Sequence, residues 1–470
     1  MVKFPKAFLD SIAAILPPQL ELDDFIAISQ TPLRRSIRVN TLKIGVEEFV
    51  QRMEGKGWHL EPIPWCDEGF WLNWDKPGAQ LGNTPEHLAG LFYIQEASSM
   101  MPPNALFALA GQPQTVLDVA SAPGSKTSQM AARMNNQGVL IANEYSSSRL
   151  KSLHANLQRL GIRNVALTHF DGKVFGPTLP ERFDAILLDA PCSGEGTVRK
   201  DPQAMANWSF DAIEQIAAVQ KTLIESAFTA LKPGGTLVYS TCTLLAEENQ
   251  AVCHWLRERH PELVEFISLG ALFPGAERAL TEEGFLHIWP QIYDSEGFFV
   301  AAIRKRGSMQ AQAKPPKLKS FPFTPAPTRT VAELRHYLET QLGLSLPDEG
   351  QVMARDQELW WFPQALNDFI GKIRMNRLGI KIAQVHKHGF KIQHEAIMAL
   401  PLTPTKCVEL TDEQATTYLM GRDLPMDTPA GKGEVIVRWT GQPLGLAKWV
   451  GSKLKNGLPR ELVRDQIVSV

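Results

Sequence analysis

Cysteine is scarce in this sequence, with five residues in a chain of 470. A disulfide framework would show an even number of cysteines at close spacing, and there is no Cys-x-x-Cys pair or zinc-like Cys–His spacing. The cysteines are Cys66, Cys192, Cys242, Cys253 and Cys407. We therefore expect reduced thiols, a cytoplasmic location and no metal site.

Long apolar runs are lacking too. The N-terminal segment has Phe8, Ile12 and Ile15 at helical spacing, and Asp10 interrupts any signal-like apolar run. No stretch reaches the roughly 18 uncharged apolar residues that a membrane helix needs. These absences exclude a signal peptide and a membrane span, so we expect a soluble protein with no membrane partner.

A surplus of charge of one sign is the third absence. The formal net charge is -2 at pH 7, in a chain that is 44% hydrophobic and 21% charged. This composition is ordinary for a globular protein with buried cores. Any affinity for nucleic acid must therefore come from local basic surfaces rather than from the overall charge.

The length is enough for about three domains, and the character of the chain changes along it. We expect a mixed α/β N-terminal region at 1–100, a catalytic domain at 101–307, a Pro- and Lys-rich linker at 308–328, an intermediate region at 329–378 and a β-rich domain at 379–470. In the last of these, segments 433–440 and 444–450 flank Gly441-Gln442-Pro443 and predict a hairpin.

The middle region alternates strand-like and helix-like segments. Strands are predicted at 115–120, 138–144, 165–171, 183–190 and 236–242, and helices at 146–160 and 210–231. The second helix must stop at Lys232-Pro233-Gly234-Gly235, through which no helix continues. Strand and helix in alternation predict an α/β fold with a parallel, doubly wound sheet.

Small residues follow the first of these strands and lead into a helix. Such a loop lies where doubly wound sheets bind ligands, and its helix N-terminus favours a carboxylate. The loop residues are Ala120, Ser121, Ala122, Pro123, Gly124, Ser125 and Lys126. A phosphate-binding P-loop fits poorly because residue 119 is Val, and the nicotinamide motif GxGxxG is absent.

Acidic residues end the next three strands. Glu144 stands where ribose hydroxyls are commonly bound, Asp171 within reach of an adenine, and Asp189 at the end of the fourth strand. One such acid is as often a helix cap as a ligand. Three in succession beside the loop favour a nucleotide-like cofactor pocket.

Two of the cysteines also follow strands. Cys192 comes after the fourth strand and Cys242 after the fifth, so both should open into one crevice beside the cofactor pocket. A single cysteine is usually a small buried apolar residue, and we expect this of Cys253 and Cys407. A cysteine nucleophile must be ionised, and we expect the helix that follows Cys242 to lower the pKa of its thiol.

Several segments together resemble the signature motifs of the NOL1/NOP2/Sun family of RNA cytosine-C5 methyltransferases. They are LDVASAPGSKT at 117–127, DAPCSGEGT at 189–197, YSTCT at 239–243, RVNTLK at 38–43 and GFF at 297–299. The resemblance covers roughly residues 34–305. It implies a Rossmann-like methyltransferase domain, S-adenosylmethionine as cofactor and RNA as substrate.

The resemblance also assigns roles. It implies that Cys242 attacks C6 of the cytosine, which makes C5 able to accept a methyl group, and that Cys192 assists release of the product. Asp189 would be the acid beside the base, and the loop with Glu144 and Asp171 would line the cofactor pocket. In DNA cytosine-C5 enzymes the Pro-Cys residue attacks and the second cysteine is absent, so the pair favours RNA over DNA.

The C-terminal region resembles a PUA-like RNA-binding module at LGIK (378–381), KHGFK (387–391) and EAIMAL (395–400). The order of parts is similar to that of a bacterial subfamily, which implies a cytosine in the decoding region of 16S rRNA, on naked RNA or in the small ribosomal subunit. Residues 372–394 include six Lys or Arg and no acid, which predicts a phosphate-binding surface rather than a merely solvated face.

A second RNA contact is predicted near the crevice from four cations: Arg34, Arg35, Arg38 and Lys43. The N-terminal tryptophans are more often core residues than stacking platforms, and His386-Lys387-His388 favours a phosphate contact over a metal. Because pairing hides C5 from a deep pocket, we expect the target nucleotide to be unstacked or flipped.

Other functions fit parts of the sequence. The same chemistry could act on tRNA or 23S rRNA, and a non-catalytic ribosome assembly factor would need no pair of thiols at strand ends. A methyltransferase acting on proteins or small molecules leaves the basic C-terminal region unexplained. Nothing in the sequence suggests an oligomer, so a monomer is expected.

Overall fold

The structure is a computed structural model that describes residues 2–76, 79–206, 208–314, 316–387, 389–426 and 431–468. Within these residues, no helix has the length and apolar character that crossing a membrane requires.

The N-terminal region combines helices with a small antiparallel sheet. Its elements are α1 (Lys6–Ile15), α2 (Leu22–Ser29), β1 (Ser36–Val39), α3 (Val46–Glu54), β2 (Trp58–Ile63), β3 (Cys66–Trp74), α4 (Pro85–Leu88) and β4 (Phe92–Ile94). The sheet has the order β2-β3-β1-β4. The tryptophans at 58, 65, 71 and 74 are buried, which confirms the expectation that they are core residues.

The middle region carries the large sheet. Its elements are α5 (Met101–Ala110), β5 (Thr115–Asp118), α6 (Ser125–Arg133), β6 (Val139–Asn143), α7 (Ser147–Arg159), β7 (Val165–Thr168), α8 (Phe175–Thr178), β8 (Phe183–Asp189), α9 (Phe210–Ala230), β9 (Leu231–Thr241), α10 (Gln250–Arg259), β10 (Val264–Ile267), β11 (Leu286–Ile288), α11 (Pro290–Tyr293) and β12 (Phe298–Lys305).

The C-terminal region adds two more sheets. Its elements are β13 (Thr324–Pro325), α12 (Thr328–Tyr337), β14 (Gly350–Arg355), β15 (Glu358–Pro363), β16 (Arg377–Leu378), β17 (Ile380–His386), β18 (Gly389–Ile392), α13 (His394–Ala399), β19 (Cys407–Glu409), α14 (Asp412–Leu419), β20 (Leu424–Pro425), β21 (Glu434–Trp439), β22 (Gln442–Val450) and β23 (Lys453–Asn456). The sheet orders are β13-β14-β15-β17-β18 and β19-β21-β22-β23-β20.

The large sheet confirms the predicted doubly wound α/β fold. Its order is β10-β12-β9-β8-β5-β6-β7-β16, with β9, β8, β5, β6 and β7 parallel. The five predicted strands exist, but each ends one to three residues sooner than predicted. The chain therefore leaves the sheet before it reaches the predicted site residues Ala120, Glu144, Asp171 and Cys242.

The predicted boundary at residue 379 is wrong as a division between domains. β15 lies before it and β17 after it, yet the two strands pair, with Trp361 opposite Ile380. Gly379 instead marks the point where the chain leaves β16, in the large sheet, and enters β17. A Cβ at Gly379 would lie 2.0 Å from the carbonyl oxygen of Trp361, and its φ is +52°, so the crossing requires glycine.

The predicted C-terminal hairpin is confirmed with a tighter turn. β21 and β22 are antiparallel and pair up to Trp439 opposite Gln442, which leaves Thr440 and Gly441 as the turn. Both have positive φ, +52° and +79°, as the turn that matches the strand twist requires. Gln442 and Pro443 therefore belong to the second strand rather than to the turn.

The RVNTLK segment joins three parts of the molecule. Arg38 is buried and donates to the carbonyl oxygen of Ser125 in α6 at 2.7 Å. Lys43 is partly buried, with its ammonium donating to the carbonyl oxygen of Met398. The prediction that Arg38 and Lys43 contact RNA is therefore wrong, because both cations donate hydrogen bonds to carbonyl oxygens within the protein.

Asn40 is the central polar residue of this joint. Its side-chain amide donates to the carbonyl oxygens of Gly90 and Leu160, at 2.8 and 2.9 Å. We expect Asn40→Ala to cost about 1–3 kcal/mol of stability, because two buried carbonyl groups lose a donor. Thermal unfolding followed by circular dichroism measures the loss. Asn73→Ala, at an exposed position of β3, is the matched control; equal midpoints for the two variants would contradict the proposed role of Asn40.

Candidate active site

Two cysteine side chains meet at the carboxyl edge of the large sheet. β8 and β9 are parallel neighbours with Asp189 opposite Ser240, so the loops that follow them start side by side. The Sγ atoms of Cys192 and Cys242 lie 3.1 Å apart, and both residues are free thiols. The structure thus brings together the two thiols that the sequence placed in one crevice.

Asp189 is fixed beside these thiols by two donors. The ammonium of Lys126 donates to one carboxylate oxygen at 2.7 Å, and the Ser240 hydroxyl donates to the other at 2.7 Å. Lys126 is the last residue of the predicted cofactor loop and lies in the first turn of α6, which starts at Ser125, inside that loop. One ion pair therefore connects that loop to the loops that carry the thiols.

Cys192 lies in surroundings that favour its neutral form. Its hydrogen bond with Cys242, its burial and the charges of Cys242, Glu248 and Glu195 together raise its pKa well above the ordinary value. A thiol in this position keeps its proton at neutral pH. Of the two cysteines, Cys192 is therefore the proton carrier.

Lys126 supplies positive charge at the same point. Burial alone would lower the pKa of Lys126, but the charges of Asp189 and Cys242 and the hydrogen bond to Asp189 outweigh it, so the pKa is raised. Lys126 is therefore a firmly held cation close enough to Cys242 to stabilise a thiolate there.

The helix after Cys242 does not activate its thiol, contrary to the prediction. α10 begins only at Gln250, and the segment between the two residues is not helical. A helix terminus acts only within about one turn of its end. The charged group next to Cys242 is instead Lys126, in the first turn of α6.

The predicted cofactor loop, Ala120 to Lys126, is supported from the N-terminal region. Besides the carbonyl oxygen of Ser125, Arg38 reaches the Ser128 hydroxyl at 2.7 Å. Both contacts are with the first turn of α6, where the loop ends. Arg38 therefore holds the start of this helix, which explains why the RVNTLK segment is part of the site although it touches no thiol.

The loop and its surroundings fit a nucleoside with a small acidic side chain. Gly124 has φ +107°, and a Cβ there would lie 2.9 Å from Leu153 Cδ1, so the loop leaves no room for a side chain at this point. Glu144 is buried, and its carboxylate accepts from the main-chain N–H groups of Ala122 at 3.1 Å and Ser146 at 2.8 Å. These donors hold Glu144 as an acceptor, which is the chemistry that ribose hydroxyls require.

Asp171 lies beyond its strand rather than at its end. β7 stops at Thr168, and Asp171 caps the short 3-10 turn Gly172–Val174 by accepting from the N–H of Lys173 at 3.1 Å. Its carboxylate also pairs with the Lys173 ammonium at 2.9 Å. Asp171 stays on the carboxyl edge of the sheet, and its contact with an adenine remains a prediction.

Two residues at this edge were missed. Asp118 ends β5 beneath the loop; its carboxylate accepts from the Thr127 hydroxyl at 2.7 Å, and burial raises its pKa to about 7. Tyr145 follows Glu144 with 75% of its surface exposed, which leaves an aromatic face free to cover a purine. A signal for Asp118 was its place inside an apolar strand, where an acid needs a reason.

A carboxyl pair was missed as well. The main-chain N–H of Glu296 donates to Glu96 at 3.2 Å, and both residues lie near the Lys126 end of the crevice. Burial and the charge of Glu96 raise the pKa of Glu296 to about 8. Glu296 directly precedes the GFF segment that opens β12, so this side of the crevice presents a carboxyl group that is neutral at pH 7.

The basic segment 372–394 is less exposed than its sequence suggests. Arg377 pairs with Glu395 at 2.5 Å, and Lys381 pairs with Glu358 at 2.5 Å. Acids outside the segment therefore neutralise two of its six cations. The four that remain are Lys372, Arg374, Lys387 and Lys391.

Lysine and arginine side chains line two of the surface cavities. Arg374 lines a cavity of about 490 Å³ together with Lys317 and Lys319 of the extended Pro- and Lys-rich segment. Arg34 and Arg35 line another cavity, of about 560 Å³, on the N-terminal sheet, but Arg34 pairs with Glu61, which lines the same cavity. His388, one of the predicted phosphate contacts, lies outside the described residues, among which no group of three potential metal ligands occurs.

The chain matches four family models along its length. They are 16S rRNA methyltransferase RsmB/F at residues 106–304, the N-terminal domain of 16S rRNA methyltransferase RsmF at 4–97, the pre-PUA domain of ribosomal RNA small subunit methyltransferase F at 323–400 and the methyltransferase RsmF PUA domain at 405–464. The boundary between the last two matches lies after residue 400. It keeps β15 and β17 in one domain, as their pairing requires.

Curated relatives match from end to end. A protein named ribosomal RNA small subunit methyltransferase F from Shewanella sp. (strain MR-7) is 58% identical, over 100% of this chain and 99% of its own length. A protein of the same name from Vibrio campbellii is 56% identical, over 99% of this chain and 98% of its own.

Solved structures match about two thirds of the chain. A methyltransferase homologue from Pyrococcus horikoshii is 37% identical with a TM-score of 0.51, over 64% of this chain and 100% of its own. NSun6 from Pyrococcus horikoshii, solved with SFG, has a TM-score of 0.56 at 22% identity, over 65% of this chain and 99% of its own. The second match bears on the fold alone.

The contact between the thiols can be tested by alkylation. Because Cys242 is the main cause of the raised pKa of Cys192, Cys242→Ser should move the pH profile of Cys192 modification by iodoacetamide downward by about one unit or more. Peptide mass spectrometry measures each cysteine separately. Cys253→Ser, which removes a buried thiol from α10, should leave the Cys192 profile in place; an unchanged profile in Cys242→Ser would show that the thiols are not coupled.

Proposed function

The chain belongs to the 16S rRNA methyltransferase RsmB/F family, and from that membership we propose that it methylates C5 of a cytosine in 16S rRNA through a covalent bond between Cys242 and C6 of the base. This membership confirms the family that the motifs predicted. It makes the protein an S-adenosylmethionine-dependent RNA methyltransferase. The observation that carries the proposal is the pair of free thiols, 3.1 Å apart beside Asp189 and Lys126.

Cytosine C5 needs a nucleophile elsewhere on the ring before it can be methylated. When the Cys242 thiolate bonds to C6, the ring loses its aromaticity and C5 becomes enamine-like. The loop from Ala120 to Lys126, with Glu144 and Asp171, would hold S-adenosylmethionine, which when bound would supply an electrophilic methyl group. The C5 proton must then leave so that the C5–C6 double bond reforms and the S–C6 bond breaks.

Asp189 and Lys126 are suited to the polar edge of the base. Their hydrogen bond at 2.7 Å places one exchangeable proton between an acid and an amine next to the attacking sulfur. Such a pair can offset the negative charge that builds on the pyrimidine ring as the Cys242 sulfur adds. We assign this role to the pair because both groups lie beside the thiols.

The role of Cys192 follows from the cause of its raised pKa. Before attack, the charge of Cys242 and the hydrogen bond to it hold the proton on Cys192. Once Cys242 is bonded to carbon, that charge is gone, and the partly exposed Cys192 can release its proton to solvent and then take the proton from C5 as a thiolate. Formation of the adduct therefore makes Cys192 available as the base that removes the C5 proton. The S–C6 bond then breaks, and the Cys242 thiolate leaves as aromaticity returns.

The RNA would be held by the surfaces that retain free cations. These surround the cavity with Lys317, Lys319 and Arg374; the PUA domain, at 405–464, offers a further surface. All five cysteines are free thiols, which supports the cytoplasmic location that ribosomal RNA requires.

Bisulfite sequencing of rRNA and tRNA from a deletion strain tests the substrate, since loss of a methylcytosine only from 23S rRNA or tRNA would refute the 16S assignment.

The roles of the two thiols predict opposite behaviour for their variants. With 16S rRNA and S-adenosylmethionine, Cys192→Ala should accumulate a stable RNA–protein adduct, because attack proceeds while release fails. Cys242→Ala should form no adduct and no methylated RNA. Denaturing gels with labelled RNA measure the adduct, and Cys253→Ala serves as the matched control with wild-type turnover. Methylation by Cys242→Ala would overturn the assignment of the nucleophile.

A further inference from the structure

Two buried carboxyl groups lie on either side of one hydroxyl behind Cys192. Ser193 and Glu195 belong to the loop after β8, and Glu248 belongs to the segment after β9. Glu195 and Glu248 are only 1% and 0% exposed. The Ser193 hydroxyl lies 2.5 Å from Glu195 Oε2 and is also in hydrogen-bond contact with Glu248 Oε1. We call this arrangement the Glu195–Ser193–Glu248 bridge.

The remaining oxygens of both carboxyl groups already have ordinary donors. Glu195 Oε1 accepts from the Thr243 hydroxyl and from the Leu244 N–H, the latter at 2.9 Å. Glu248 Oε2 accepts from the Ser193 N–H at 3.0 Å and from the Gln220 side-chain amide at 2.8 Å. The two oxygens that face the Ser193 hydroxyl are therefore the ones whose protons have to be accounted for.

A count of protons shows that the bridge needs one more than Ser193 supplies. A serine hydroxyl has a single proton, so it can donate to one carboxylate only. The contact with the other carboxyl group is a hydrogen bond only if that group carries a proton and donates it to Ser193 Oγ. One of the two glutamates is therefore protonated, and the bridge as a whole carries one negative charge.

The electrostatic surroundings agree with this count. Burial raises the pKa of Glu195 and of Glu248, and the charge of Glu195 raises that of Glu248 further. Within the described part of the chain, no Lys, Arg or His forms an ion pair with either group. The other titratable groups that face the bridge are Cys192, Cys242 beyond it and Tyr239, whose own pKa burial raises well above the ordinary value.

We propose that Glu195 and Glu248 share one proton through Ser193, and that the single negative charge left in the bridge adds to the effect of Cys242 in holding the proton on Cys192; the contribution of Cys242 ends when its sulfur bonds to the RNA base. Glu195 and Glu248 are thus positioning residues that act through Cys192. The part about the RNA base rests on the proposed function, whereas the shared proton and its effect on Cys192 do not.

The bridge also explains why the two thiols have different roles. Cys242 has Lys126 as its charged neighbour, and Cys192 has the bridge. A negative charge beside a thiol favours its protonated form, so the bridge assigns the proton to Cys192. The same carboxyl groups tie the segment after β9 to the loop after β8, so the charge and the geometry are set by one structure.

The alkylation profile of Cys192 tests the charge of the bridge without RNA or methyl donor. All variants are made with Cys242→Ser, so that only the bridge acts on Cys192. In Glu248→Gln the amide can donate to Ser193 Oγ and the Ser193 hydroxyl to Glu195, which leaves one charge; Glu195→Gln is equivalent. Each single change should therefore leave the Cys192 profile within about 0.3 pH unit, whereas the double change, which removes the charge, should lower it by about one unit.

Glu247→Gln is the matched control, because it removes one charge at an exposed position next to Glu248 and should leave the profile in place. If each single variant moves the profile about half as far as the double, both carboxylates are ionised and the shared proton is refuted. If the double variant does not move it, the bridge has no effect on Cys192. Because the readout involves no methylation, either failure is distinguishable from a failure of the proposed function.

Infrared difference spectroscopy provides a second measurement that needs only the single variants, should the double variant not fold. A shared proton predicts that the carboxylic acid C=O band of the bridge is present in the parent protein and absent from both Glu195→Gln and Glu248→Gln. A band that disappears in only one of them would assign the proton to that residue alone and overturn the sharing. Asp118 and Glu296 cancel in these differences because they are unchanged.

Discussion

The contact between two thiols, 3.1 Å apart, is the interaction on which the rest of the site depends. It exists because β8 and β9 are parallel neighbours in register, with Asp189 opposite Ser240, so that both chains leave the sheet at the same level. At this distance neither sulfur can ionise without affecting the other. The charged groups behind each sulfur then decide which one keeps its proton, and with it the order of events in the reaction.

The outer domains hold this centre in place rather than supply chemistry. Arg38 ties the N-terminal sheet to α6, whose Lys126 reaches the site. The PUA domain packs on the same N-terminal sheet, where Trp439 lies beneath the guanidinium of Arg52 at 4.4 Å. The motif residues near the N-terminus are thus structural connections of the catalytic centre, and the cations left for RNA lie elsewhere.

The parallel sheet and the thiol pair could be predicted because alternation of strands and helices puts every strand end on one edge. The partners of the buried charges could not be predicted from the sequence. Arg38 and Lys43 look like surface cations in the sequence, and their acceptors, Ser125 and Met398, are distant in the chain. Glu195 stood inside a recognised motif, yet its role depends on Glu248, which only the pairing of β8 with β9 brings near. Local patterns show which residues are polar, but not which polar residues meet.

The most direct test of the covalent mechanism uses a 16S rRNA fragment with 5-fluorocytidine at the target position. Fluorine cannot leave C5 as a proton does, so methyl transfer should stop at a stable adduct that contains both the methyl group and the protein. Mass spectrometry of the digested adduct locates the bond. The account predicts a methylated nucleotide on the peptide that contains Cys242; attachment to the Cys192 peptide, or complete methylation without an adduct, would contradict it.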